Sequence, residues 1–220
     1  MPLPLTLLRF PEIHLEKRDA HKLRGYFGNL FKEHSPLLHN HFEDGSARYK
    51  YPLVQYKVVQ EVPMLVGLND GAQLLTELFL KINELNIGGR IYPLHQKNLD
   101  HFQVHAGLSN HLHRYRFENL WMALNQDNHK RYRQMESAQE KQTMLATILK
   151  NNLLSFFKGV DIWLDAPLTA TGNFEEHVTK YKNKSMLAFS GEFAANAELP
   201  DFIGIGKHSS AGFGTLVKKM

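Results

Sequence analysis

Two apolar rhythms alternate along the first half of this chain. Leu3 to Phe10 is an apolar run of strand length, and from Lys17 to Phe31 the residues Leu23, Phe27, Leu30 and Phe31 fall on one helical stripe. A polar stretch from Glu33 to Ser46 reads as a loop. Arg48 to Gln60 and Val62 to Leu68 are rich in Val, Leu and Tyr and predict a hairpin that turns at Gln60 and Glu61. Asn69 and Asp70 then offer caps to a helix in which Leu74, Leu75, Leu78, Phe79 and Ile82 repeat at helical spacing. A further strand belongs at 89–94 or at 100–105.

The second half is less regular. An alternating strand starts at His111, and Lys130 to Phe157 predicts one long helix with Leu145, Ile148, Leu149, Leu153 and Phe156 as its buried stripe. Short strands are predicted at 161–165, 185–193, 201–206 and 212–217, with no second helix among them. The order strand, helix, strand, strand, helix, strand of the first half is the ferredoxin-like pattern, an antiparallel sheet with two helices on one face. The chain therefore reads as α+β with two ferredoxin-like domains, residues 1–108 and 109–220, the second incomplete.

Composition narrows the classes. A chain of 220 residues that is 43% hydrophobic and 22% charged has an ordinary globular core, and the absence of cysteine excludes disulfides, thiolate metal sites and cysteine nucleophiles. The apolar opening is too short to span a bilayer, so no membrane partner and a cytoplasmic location are expected. The net charge of +4 is clustered, in His129-Lys130-Arg131-Tyr132-Arg133 and in Lys180-Tyr181-Lys182-Asn183-Lys184. Cations interleaved with aromatic and amide groups suit a surface that grips phosphates and stacks bases. Lys180, Lys182 and Lys184 are expected on one face of a strand.

Four of the 15 glycines fall between Gly204 and Gly214, around Lys207, His208, Ser209 and Ser210. Such packing suggests a backbone-lined groove for an anion. It is neither a P-loop nor a dinucleotide fingerprint, because Asp201 and His208 stand where the P-loop needs Gly and Ser or Thr, and Ser209 where the fingerprint needs its third Gly. A terminal G-x-G-x(5)-G-F-G loop resembles the glycine-rich loop of the RAMP superfamily of CRISPR-associated proteins. Tyr51-Pro52-Leu53-Val54-Gln55-Tyr56-Lys57-Val58, followed by Pro63 to Ala72, resembles the branch that matures CRISPR repeat RNA. From Gln96 to Gly159 no motif of that family is found.

The resemblance implies a metal-independent endoribonuclease without a cofactor, and CRISPR repeat RNA as partner. Other CRISPR effector subunits and a second copy of the chain are further candidate partners. In the family the acid or base is commonly a histidine of the N-terminal region, which singles out His39 and His41, with Tyr49 and Lys32 in support. RNA carries its own nucleophile, so the enzyme needs only to take a proton from the 2′-hydroxyl and give one to the leaving 5′-oxygen, tasks that an imidazole of ordinary pKa performs. A lysine would stabilise charge on phosphorus. The products would be a 2′,3′-cyclic phosphate and a 5′-hydroxyl. RNA contacts are expected at Lys180, Lys182 and Lys184, at Gly204, Gly206, Lys207, His208, Ser209, Gly212 and Gly214, and at Lys130, Arg131 and Arg133. Two other readings compete. The pairs His39 with His41, His101 with His105 and His111 with His113 have spacings that suit a metal-dependent nuclease, and a RAMP subunit can bind RNA without cutting it.

Overall fold

The computed structural model describes residues 1–30, 51–182 and 184–219. The chain divides into two compact units, one of Pro2–Val104 with Ser210–Gly212 and one of His105–Ser209 with Phe213–Met220 and Met1. They are the N-terminal and C-terminal units.

In the N-terminal unit, β1 (Pro2–Arg9), β2 (Val54–Val59), β3 (Val62–Leu68) and β6 (Asn98–His105) form one sheet in the order β2-β3-β1-β6. Gln60 and Glu61 both have positive φ, the geometry of a tight hairpin turn that follows the twist of its strands. Helices α1 (Ala20–Leu30) and α2 (Asp70–Leu78) present Ala20, Leu23 and Phe27, and Leu74, Leu75 and Leu78, to a core shared with Leu8, Tyr56, Val58 and Leu65. Phe27 lies between Phe10 and Tyr56, with ring centroids 6.1 and 5.9 Å away. The strand predicted at either 89–94 or 100–105 resolves into both. Residues 98–105 are the fourth strand of the sheet, while β4 (Glu84–Ile87) and β5 (Arg90–Pro93) make a separate hairpin. Asn69 caps α2 through its backbone carbonyl rather than its side chain.

The C-terminal unit repeats the strand order. β7 (Gly107–Phe117), β8 (Ala170–Tyr181), β9 (Lys184–Glu198) and β10 (Leu216–Lys218) are arranged β10-β7-β9-β8, the first, second, third and fourth strands taking the same relative places as in the other sheet. The single long helix predicted from 130 to 157 is instead two, α3 (Gln126–Gln134) and α4 (Ala138–Gly159). Ser137 breaks them, because its hydroxyl accepts from the Glu140 amide and starts a new helix. No strand forms over 161–165, and 201–206 and 212–217 contribute only β10 and the isolated bridge of Gly204 with Thr215. Between β9 and β10, where the first unit has α2, the chain makes the glycine-rich segment with one short 3-10 turn at Ser209–Ala211. Among the described residues no helix is long and apolar enough to cross a membrane.

Candidate nucleic-acid interface

At Gly206 and Gly214 the glycine-rich segment approaches the C-terminal unit closely. Gly206 has φ +83, and a Cβ there would lie 2.6 Å from Trp121 Nε1 and 2.9 Å from Asn152 Oδ1. Those two atoms are themselves hydrogen-bonded at 3.0 Å, with Trp121 donating. The next residue, Lys207, donates its amide to the Met122 carbonyl at 3.0 Å. Gly214 has φ +63, and a Cβ there would sit 2.0 Å from the Ile205 carbonyl oxygen. Its amide donates to the Leu120 carbonyl, and its own carbonyl accepts from Ile205. Both glycines are therefore demanded by backbone geometry and by neighbours that leave no room for a side chain.

Burial sorts the members of this segment. Gly204, Gly212, Gly214 and Ser209 are buried, Gly206, His208 and Phe213 are half-buried, and Lys207 is exposed. The buried glycines shape the loop, whereas its reachable surface is Lys207 with the rings beside it.

That surface meets the tip of the β8–β9 hairpin. Tyr181, the last residue of β8, has its ring centroid 4.1 Å from that of His208 and 5.7 Å from that of Phe213, the latter edge to face at 85°. His208 holds this position with φ +57, which few non-glycine residues adopt. Lys182 Nζ lies 5.8 Å from the Tyr181 centroid. Three rings and the cations Lys182 and Lys207 thus gather at one end of the unit. Tyr181 and Phe213 were not among the sequence-derived site residues, although each is adjacent to ones that were, and the alternation of lysine and tyrosine at 180–182 was the signal for Tyr181.

The three lysines do not share a face. β8 ends at Tyr181 and β9 begins at Lys184, with those two residues paired and Lys180 paired with Ser185. Side chains alternate along a strand, so Lys180 and Lys184 project to opposite faces of the hairpin, and Lys182 stands in its turn.

α3 supplies the second basic group. Tyr132 is buried and donates to Glu176 Oε1 at 2.7 Å, and burial, with the Glu176 carboxylate beside it, raises the pKa of its phenol. With Tyr132 as the inward anchor, Lys130, Arg131 and Arg133 are left exposed. Glu176 is on β8, so these cations lie on the same unit as the hairpin tip.

The histidine pair and its supports, Lys32, His39, His41 and Tyr49, lie outside the described residues. Just beyond them in the chain, Tyr51 is half-buried with its hydroxyl receiving a bond from Gln55 Nε2 at 2.8 Å, and Lys57 on β2 is fully buried. Of the other histidines, His101 bonds Thr6 Oγ1 at 2.8 Å, His105 bonds Glu198 at 2.7 Å and His113 bonds Ser109 Oγ at 2.9 Å. Among the described residues no group of three or more metal-ligating side chains is placed to hold an ion.

Comparison with known proteins agrees along the whole chain. A family model of the Cas6b N-terminal domain matches residues 1–105, and one of the Cas6b C-terminal domain matches residues 107–219. An uncharacterized protein of Methanocaldococcus jannaschii is 32% identical over 143 residues, 64% of this chain and 97% of that one. A crystal structure of Cas6b superposes with a TM-score of 0.94 at 32% identity, covering 100% of both chains. A second, of a CRISPR RNA processing endoribonuclease Cas6b, has a TM-score of 0.81 at 29% identity over 100% of both chains. A type IV CRISPR-Cas crRNA endonuclease shares the fold at 12% identity, with a TM-score of 0.60.

Proposed function

This chain belongs to the Cas6b family, and from that premise we propose that it is an endoribonuclease that cuts CRISPR repeat RNA in the precursor transcript by a metal-independent route. The observation that carries the reading is the match over both domains to a Cas6b structure at a TM-score of 0.94, with a second similar structure that is a CRISPR RNA processing endoribonuclease. The activity belongs in the cytoplasm, where the transcript is made, and other CRISPR effector subunits are candidate recipients of the product.

The roles divide between the two ends of the sequence. Near the start, His39 and His41 exchange protons with the 2′-hydroxyl and the leaving 5′-oxygen, Tyr49 orients the nucleophile, and Lys32 offsets charge on phosphorus. Neither a metal nor a cofactor is needed, because the 2′-hydroxyl is the nucleophile and the step is proton transfer with electrostatic support. Near the end, Tyr181, His208 and Phe213 offer ring faces to unstacked bases, since sequence identity in RNA is read mostly from single-stranded or splayed bases. Lys182 and Lys207 beside the rings, Lys180 and Lys184 on the two faces of the hairpin, and Lys130, Arg131 and Arg133 on α3 hold phosphates. The glycines at 204, 206, 212 and 214 and Ser209 set the backbone on which Lys207 and His208 are carried.

The test is incubation of the purified protein with its own repeat RNA in strong chelator, with identification of the ends produced. A 2′,3′-cyclic phosphate and a 5′-hydroxyl are expected, and a substrate with one 2′-deoxy nucleotide at the cut site should be bound and left whole. Cleavage of that substrate overturns the mechanism. Cleavage that survives alanine at both His39 and His41 removes them as catalysts, and binding of repeat RNA without cleavage under any condition overturns the enzyme reading in favour of a non-catalytic RNA-binding subunit. Loss of activity in chelator would restore the metal reading.

A further inference from the structure

We propose that Glu176 of β8 is a positioning residue for RNA: by accepting from the Tyr132 hydroxyl it fixes the rotation of α3 and so aims Lys130, Arg131 and Arg133 together at one phosphate strand. That role rests on the grip of α3 on RNA phosphates proposed above, and names the group that sets it. α3 is nine residues long, and Tyr132 is its only buried residue. A helix that short does not hold itself together in water, and no apolar stripe docks this one. Asn125 caps its first turn, its side chain accepting from the Asn128 amide at 2.7 Å. The cap starts the helix without deciding which side of it faces the protein. Tyr132 decides that.

Its ring stands edge-on to Phe189, with centroids 5.6 Å apart at 73°, and its hydroxyl donates to Glu176 Oε1 at 2.7 Å. Glu176 and Phe189 are directly opposite each other on β8 and β9, so one side chain of α3 spans a cross-strand pair and cannot turn without losing one of the two contacts. A carboxylate accepts a stronger bond than a neutral group would. Lys141 of α4 closes the cluster, 3.9 Å from Glu176 Oε1 and 5.2 Å from the ring centroid, and balances the negative charge set beside a basic helix. The helical period does the rest. At about 100° per residue, Lys130, Arg131 and Arg133 fall in an arc of about 160° whose middle is directly opposite Tyr132. Docking of the phenol therefore turns all three cations outward, and all three are exposed. Rotation of α3 by one residue in either direction would bring one of them against the sheet.

The test is the affinity of the full chain for repeat RNA with one 2′-deoxy nucleotide at the cut site, measured across salt concentrations, together with hydrogen exchange at the amides of α3. Glu176→Leu and Tyr132→Phe should each speed exchange across α3 and leave that of α4 unchanged. Each should weaken RNA binding by roughly three- to tenfold. Glu176→Gln removes the charge as Glu176→Leu does, but its amide oxygen still accepts from the phenol, so it should stay within about twofold of the wild type. Joint replacement of Lys130, Arg131 and Arg133 by alanine should lower the slope of log affinity against log salt by about 2, at about 0.7 for each phosphate contact on a single strand. In that triple-alanine background Glu176→Leu should weaken binding no further, an outcome that a general loss of structure would not give. The positioning role is overturned if the triple variant is weakened while Glu176→Leu and Tyr132→Phe bind like the wild type, if Glu176→Gln is as damaging as Glu176→Leu, or if Glu176→Leu acts equally in both backgrounds. A triple variant with wild-type affinity instead removes α3 from the RNA interface, so the two failures are told apart.

Discussion

The two sheets have the same strand order and differ in how the chain crosses from the third strand to the fourth. In the N-terminal unit the crossing is α2, which buries Leu74, Leu75 and Leu78 in the core. In the C-terminal unit it is the glycine-rich segment, tied down by backbone bonds from Ile205, Lys207 and Gly214 and by glycines in the left-handed region. One crossing is held by apolar side chains and serves stability. The other is held by its main chain, which leaves Lys207 exposed and seats the half-buried rings of His208 and Phe213 against Tyr181.

Four measurements sharpen or break that contrast. The largest effect is expected from Gly214→Val, which places a branched side chain where a Cβ alone would lie 2.0 Å from the Ile205 carbonyl oxygen. Urea denaturation should show a loss on the order of 4 kcal/mol or failure to fold. Leu75→Ala, in the helical crossing, leaves a cavity in place of a fully buried side chain and should cost about 3 kcal/mol by the same assay. If it destabilises by less than Gly214→Val yet leaves RNA affinity of the folded fraction unchanged, the division of labour holds.

The third concerns Lys57, on the face of β2 away from the helices. Burial holds its pKa at about 7, below the ordinary 10.5. A base whose pKa is lower in the folded state binds fewer protons there than when unfolded, so the fold gains stability as pH rises from about 7 towards 10.5. Each pH unit inside that window is worth at most about 1.4 kcal/mol. The melting temperature of the wild type should climb between about pH 7 and pH 9 relative to that of Lys57→Met, and parallel curves would refute the assignment. The smallest effect on folding and a clear one on binding is expected from Tyr181→Ala. Removing the ring that faces His208 and Phe213 should leave urea stability within about 1 kcal/mol while weakening RNA binding by about 1–3 kcal/mol. Equal affinity would remove the hairpin tip from the interface.

How much of the molecule was legible in the sequence depends on which forces left a mark there. The N-terminal unit was legible because its helices are amphipathic and its strands apolar, so Leu23 and Phe27, or Leu74, Leu75 and Leu78, announce their faces. β8 was invisible. Its residues Thr171, Asn173, Glu175, His177 and Thr179 alternate with Gly172, Phe174, Glu176, Val178 and Lys180, and only Phe174 is buried, because the strand is an edge with one face open to solvent. The break between α3 and α4 had a signal, Ser137 three residues before Glu140, that the continuous helical stripe from Leu145 to Phe156 outweighed. The three lysines were misplaced for a related reason, since a two-residue turn with Lys182 at φ +47 carries no glycine or proline to mark it. At the site, the glycines and cations could be named from composition and spacing, but the rings that meet them come from residues 181, 208 and 213, and that proximity is a product of the fold.

The seat of Gly206 on the Trp121 and Asn152 side chains, with Lys207 bonded to Met122, means that the start of the glycine-rich segment is cast in place by neighbours in the C-terminal unit. Of the residues that shape it, Trp121 and Met122 are buried and Asn152 is half-buried. On the proposal that this segment binds RNA, exchange of the groups at 207, 208 and 213 alters nucleotide preference while the mould beneath stays the same, whereas a change at Asn152, against which Gly206 sits, disturbs the fit for every sequence at once.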